Sequence, residues 1–231
     1  MEKLASIKEA EFTLTDAYRL AEDERKAGRF DEARAIVSRE LLTLEDVDQI
    51  FAHKTLLASI ERGAKNYREA LRIHADIYPL AQLCNFHILR ARFHNGLGIT
   101  YEESADVRSD HLDRALIEYE AARFHAEEAG DLQYAGNLEN NIAVVLCRLG
   151  RTAEARGHLD KARRYFVDDP VTSAQVDDTT AQVCLQDEQP LEALSYIVDA
   201  VKTFISRGEK KLLDDSIPTL IKAAVDYQAE R

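Results

Sequence analysis

Seven histidines, three cysteines and several carboxylate pairs are the side chains of this sequence that could do chemistry. His87 and His94 fall on one helix face, a geometry from which metal sites are built, but neither belongs to an HExxH phrase. A metal needs three or four converging ligands, so ordinary surface or groove histidines are the better reading, with no metal and no cofactor expected. The pairs Glu102/Glu103, Glu127/Glu128, Asp177/Asp178 and Asp214/Asp215 sit at expected helix starts, ends or exposed faces. Solvation explains them without acid–base work. Gly96-Leu97-Gly98 opens like a dinucleotide loop, yet the third glycine and the preceding strand are missing, and helix packing accounts for it better. There is no GxSxG, no P-loop and no cysteine in a nucleophile setting. Cys84, Cys147 and Cys184 are far apart without a CxxC, and the last two follow apolar residues, as small core residues would. The residues point away from an enzyme.

Charge narrows the partners. Thirty basic against forty-two acidic residues leave a formal −12, which repels phosphate backbones and anionic membranes and disfavours nucleic acid. Against that mean, Arg148, Arg151, Arg156, Lys161, Arg163 and Arg164 crowd one stretch. Near helix ends such residues commonly face solvent and complement the dipole; a docking patch for an acidic partner or nucleic acid is the alternative. The leading MEKLASIKEAEF lacks the apolar run of a signal peptide, and the apolar stretch ending at Cys147 is too short to span a bilayer. A reduced, cytoplasmic protein without a membrane partner is the expectation.

The elements that must position these residues are written in a repeat. Ala33, Ala70, Ala115, Ala155 and Ala193 each sit in a short charged phrase (DEAR, REAL, DRAL, AEAR) or its apolar variant LEAL, at steps of 37, 45, 40 and 38. Twelve residues before four of them stand Ala21, Ala58, Ala143 and Ala181, and Gly98 takes that place ahead of Ala115 if a short insertion is allowed. Paired small residues are what two closely crossing helices need, and a fixed period means that the hairpin is copied along the chain. Apolar residues at 45% suffice for a core, while 9 Gly and 4 Pro are few for a β protein. The expectation is an all-α, right-handed α-solenoid, one domain over 1–231, with hairpins at about 4–42, 45–82, 85–130, 131–169 and 170–208 and a capping helix at about 211–229. Pro79 should kink or end its helix near Tyr78, and Pro218 bends the last helix. The longer stretch between Tyr101 and His111 reads as a surface loop, with a recognition loop as the alternative.

Asn95-Gly96-Leu97-Gly98-Ile99-Thr100-Tyr101, followed by Ala115, Tyr119 and Ala122, resembles the tetratricopeptide repeat in the order of its small and aromatic residues. Gly28-Arg-Phe-Asp-Glu-Ala33 and Gly150-Arg-Thr-Ala-Glu-Ala155 resemble that family's inter-helix turn, and Phe93 to Phe166 is similar to bacterial proteins with repeats of about forty residues. The resemblance implies a scaffold or receptor for a protein or extended peptide, held on the concave face lined by the first helix of each hairpin. By that similarity Arg92, Asn95 and Glu102, then Asn137, Asn140 and Val144, then Gln175, Asp178 and Gln182 face inward, with Asn141 beside them. Amides carry both donors and acceptors, so such a ladder can grip a peptide backbone whatever its side chains; bridging between adjacent helices is the equal alternative. Two other functions stay open: the sensory part of a peptide-regulated transcription or signalling system, its output on a separate chain, and a structural subunit that self-associates through its ends. The first fifty residues carry no helix-turn-helix signature.

Overall fold

The computed structural model describes residues 12–229, and every regular element among them is an α-helix. In chain order these are α1 (Asp16–Lys26), α2 (Phe30–Glu40), α3 (Val47–Gly63), α4 (Tyr67–Leu83), α5 (His87–Glu103), α6 (His111–Glu128), α7 (Leu132–Arg148), α8 (Thr152–Tyr165), α9 (Pro170–Gln186), α10 (Pro190–Arg207) and α11 (Lys210–Ala229). They pair as hairpins: α1 with α2, α3 with α4, α5 with α6, α7 with α8, and α9 with α10, with α11 laid on the last. The stretch 4–11, expected to open the first hairpin, lies outside the described residues. The helices group into two compact units, Met1–Asp131 and Leu132–Arg231.

Local chemistry sets the starts and stops. Thr15, Asp46 and Asp169 cap α1, α3 and α9 by accepting backbone N–H groups of the first turn. Four turns between helices use glycine in the left-handed region, Gly28, Gly130, Gly150 and Gly208. The turns after α3 and α9 give that conformation to Lys65 (φ 62°) and Glu188 (φ 57°) instead. Of the two outcomes expected at Pro79, a kink or an end, the helix does not end there: α4 runs on through it to Leu83. Proline forfeits one hydrogen bond, while Ile77 and Ala81 on either side stay buried in the core and hold the last turn. Pro218 likewise lies inside α11.

The nine alanines of the repeat are all fully buried. Gly98 shows why the position must be small, for a Cβ there would stand 2.8 Å from the ring of Tyr119 on α6. In the first unit the core of hairpins two and three joins Phe51, Ile77, Leu89, Phe93 and Leu97. In the second, Ala181, Cys184, Ala193 and Ile197 gather with Ala223 of α11, which packs on α10 and α9 as α9 packs on α8 and α7. Cys184 is buried as expected and so is Cys84, whereas Cys147 is only half-buried, at the end of α7. Burial pushes the Cys84 thiol up to about 12, which keeps it protonated and inert. The insertion, residues 104–110, is tied at its ends: Ser104 Oγ lies 2.9 Å from His111 Nδ1, and Arg108 and Arg114 both pair with Asp110.

Candidate functional site

The second unit offers the clearest row of first helices. α7 and α9 lie side by side, as do α9 and α11, so residues one repeat apart occupy matching rungs. The spacing is 38 throughout: Asn137 matches Gln175, Asn140 matches Asp178, and Val144 matches Gln182. Adding another 38 to Asp178 gives Ser216 on α11, whose Oγ donates a short hydrogen bond to the Asp178 carboxylate. Gln182 Nε2 donates to the other oxygen of Asp178 at 3.2 Å. One rung is thus complete, and the sequence reading missed Ser216, although the 38-residue spacing was enough to find it. The matching rung on α7 is open. Asn140 Oδ1 is buried with no hydrogen-bond partner among the described residues, while Asn137 is exposed and Asn141 and Gln175 are half-buried.

The basic stretch divides into two kinds of side chain. Arg163, on α8, reaches α9: it donates to Asp177 at 3.1 Å and to Thr180 Oγ1 at 2.7 Å, and lies 5.2 Å over the Tyr196 ring of α10. Arg156 donates to Asp187 at 3.0 Å and to Gln189 Oε1 at 2.7 Å. A hydrogen bond from Thr152 and then the Arg156 guanidinium hold the Asp187 carboxyl below its usual range. These two arginines are latches between hairpins. Arg151 pairs with Glu154 at 2.7 Å, while Lys161, Arg164 and Arg148 have at least part of their surface in solvent.

In the first unit Arg92 is exposed and close enough to the half-buried Tyr18 of α1 to act on its phenol; Asn95 is half-buried on the same helix. Burial raises the Tyr18 phenol, and Arg92 opposes that rise. His94, one of the two histidines weighed as ligands, lies 2.6 Å from Glu118 of α6, and hairpin four repeats the pairing with the types exchanged: Glu139 on α7 meets His158 on α8 at 2.5 Å. Each pair places a ring nitrogen within hydrogen-bond distance of a carboxylate largely shielded from water between two helices. His87 faces His125, with their Nδ1 atoms 2.9 Å apart. Burial, then His94, His87 and Arg90, lower the His125 ring to about 4. The described residues contain no group of three His, Cys, Asp or Glu able to hold a metal, and no helix among them is long and apolar enough to cross a membrane.

Solved structures share this arrangement of hairpins. A signal transduction ATPase with numerous domains, carrying a tetratricopeptide repeat sensor, from Pyrococcus horikoshii superposes with a TM-score of 0.78 over 88% of this chain at 13% identity. A thermophilic tetratricopeptide protein of Thermus thermophilus does so with a TM-score of 0.63 over 89% of this chain and 98% of its own, at 17% identity. The fold is that of the tetratricopeptide repeat. The chain spans 31% of the length of the Pyrococcus protein. No family model matches the sequence, and no curated protein does. Within the second unit α7, α9 and α11 lie in one row, each against the next, and this row carries the polar rungs.

Proposed function

We propose that the chain is a non-catalytic binding module that holds an extended peptide segment of a protein partner on the first-helix layer of its second unit. Asn137 and Asn140 of α7 and Gln175 and Gln182 of α9 are the groups that meet the partner's backbone. The observation that carries this reading is the open rung: Asp178 is satisfied by Ser216 and Gln182, whereas the amide oxygen of Asn140 at the matching position has no donor among the described residues. A shielded acceptor without a partner costs roughly 1 to 3 kcal/mol, so supplying a donor is favourable, and the broad torsion of the terminal amide lets it turn outward to meet one. An amide oxygen that bridged two helices would already be paired.

A partner is found by affinity capture from the native cell and then titrated against purified variants. Asn140→Ala is expected to leave the melting temperature within about 1 °C, because the amide oxygen gives up no hydrogen bond, and to weaken binding about fivefold or more, the equivalent of about 1 kcal/mol. Stable Asn137→Ala and Asn140→Ala variants with normal affinity would sink this reading and direct attention to Arg148, Lys161 and Arg164. A second reading follows from the Pyrococcus protein, whose repeats are a sensor: here too the module would report a bound peptide to a signalling output. Recovery of an output domain as the captured partner, with binding that changes when peptide is added, distinguishes it from a passive scaffold.

A further inference from the structure

Ahead of α1 lies a short segment that is not helical and is nevertheless held in place. Gln49 Nε2, from the first turn of α3, donates to the carbonyl of Thr13 at 2.8 Å. One turn further on, His53 Nδ1 sits 2.8 Å from the Gln49 carbonyl and donates to it. The Thr15 hydroxyl lies 3.1 Å from Nε2 of the same ring, within hydrogen-bond distance. Phe12 lies with its ring 5.0 Å from Phe86, the residue that precedes α5, and Phe12 and Leu14 both pack on the cluster containing Phe51, Leu89 and Phe93. Thr13 between them is exposed. Phe12 and Leu14 thus pack inward on either side of the exposed Thr13, and a side-chain amide grips the main chain between them.

The segment is only partly enclosed. Phe12 and Leu14 are only half-buried, whereas the residues beneath them are enclosed by α3, α4 and α5. We propose that the seat of residues 12–15 is a binding site for an extended peptide bearing an aromatic residue and, two positions later, a leucine-sized aliphatic one, and that the chain's own Phe12-Thr13-Leu14-Thr15 occupies it as a tethered competitor. The inference extends the peptide-binding reading to the first unit and depends on it only for the class of ligand. Tethering gives the internal segment an effective concentration of order millimolar, so a free peptide competes poorly until the segment is weakened.

The test is fluorescence anisotropy with a labelled synthetic peptide copying residues 10–17, and a scrambled version, titrated with the full chain. The wild type is expected to bind weakly, and Phe12→Ala with Leu14→Ala at least tenfold more tightly. Adding Gln49→Ala is expected to reverse most of that gain, and the scrambled peptide to bind neither protein. Equal affinity for wild type and the loosened chain, equal binding of the scrambled peptide, or indifference to Gln49→Ala would each overturn the proposal. Loss of helical signal in Phe12→Ala alone would overturn it too, by marking the segment as a brace. The Asn140→Ala measurement lies in the other unit, so partner binding that depends on Asn140 while these titrations fail removes this inference and leaves the earlier reading standing.

Discussion

One substitution made at three glycines should change stability in opposite directions. Glycine to alanine inside a helix gains about 1 kcal/mol of propensity. At Gly157, on α8, a Cβ meets nothing within 4 Å, so the whole gain is kept. For a chain of this size it raises the melting temperature by about 2 to 4 °C. At Gly98 the new carbon would stand 2.8 Å from two carbons of the Tyr119 ring, where ordinary contact begins at 3.4 Å, so something must yield by 3.4 − 2.8 = 0.6 Å. The ring is 1% exposed and its hydroxyl donates to Glu102 at 2.7 Å, so it is held at both ends. Overpacking of this kind costs about 1 to 3 kcal/mol, which outweighs the propensity gain and leaves a net loss of up to about 2 kcal/mol. At Gly136 the obstacles are the Tyr165 Cβ and the Phe166 ring, both at 2.7 Å. A Cβ is fixed to its backbone and cannot swing aside, so this variant should be the least stable of the three. Thermal unfolding followed by circular dichroism measures all three under one condition. A Gly98→Ala protein that melts as high as Gly157→Ala would refute the claim that the crossing of α5 and α6 requires a bare backbone.

Lys65→Gly and Glu188→Gly should each stabilise by about 0.5 to 1 kcal/mol, because an L residue loses roughly 1 to 2 kcal/mol in the left-handed region and glycine returns part of that as chain entropy; denaturant midpoints report it. Arg163→Ala should cost about 1 kcal/mol at low salt and less at high salt, and Arg163→Lys should recover only part, since an ammonium cannot both bridge Asp177 and Thr180 and lie flat on Tyr196. His74 is fully buried with both ring nitrogens unpaired among the described residues, and burial lowers it to about 3. A base lowered on folding binds fewer protons than in the unfolded chain, so stability present above pH 6.5 is lost as the pH falls from there toward 3. His74→Leu should flatten that acid slope in melting curves taken between about pH 7 and 4.

The repeat was legible because its signal is one of spacing. Burial of small residues at fixed intervals is imposed by helix crossing, and no other part of the chain competes with it. The positions that escaped the sequence are those decided by contacts between distant residues. Lys65 and Glu188 adopt a glycine conformation because the hairpin closes on both sides of them, whatever their own preference. Pro79 stays in its helix because the core behind it holds the turn. In the candidate site, residue identities along α7 and α9 were readable from phase, but the division of the basic stretch was not. Arg156 and Arg163 find their acids 31 and 14 residues further on, a pairing fixed only when α9 is laid beside α8. Phe12 meets Phe86 across a still longer stretch of sequence.

The arginine latches have a mechanical consequence. Inside hairpin four, backbone meets ring at Gly136 with no space to yield, so that hairpin is a stiff body. Between α8 and α9, by contrast, much of the hold is polar, through two long side chains about a third exposed. Such joints give under load: an ion pair stretches, lets in water and re-forms with a new acid at little cost, whereas a methylene-tight crossing must break before it moves. Strain applied to the second unit therefore collects at the α8 to α9 seam. Its spring constant should soften with ionic strength, so that the compliance of the second unit is set by the surrounding salt while the shape of hairpin four stays fixed.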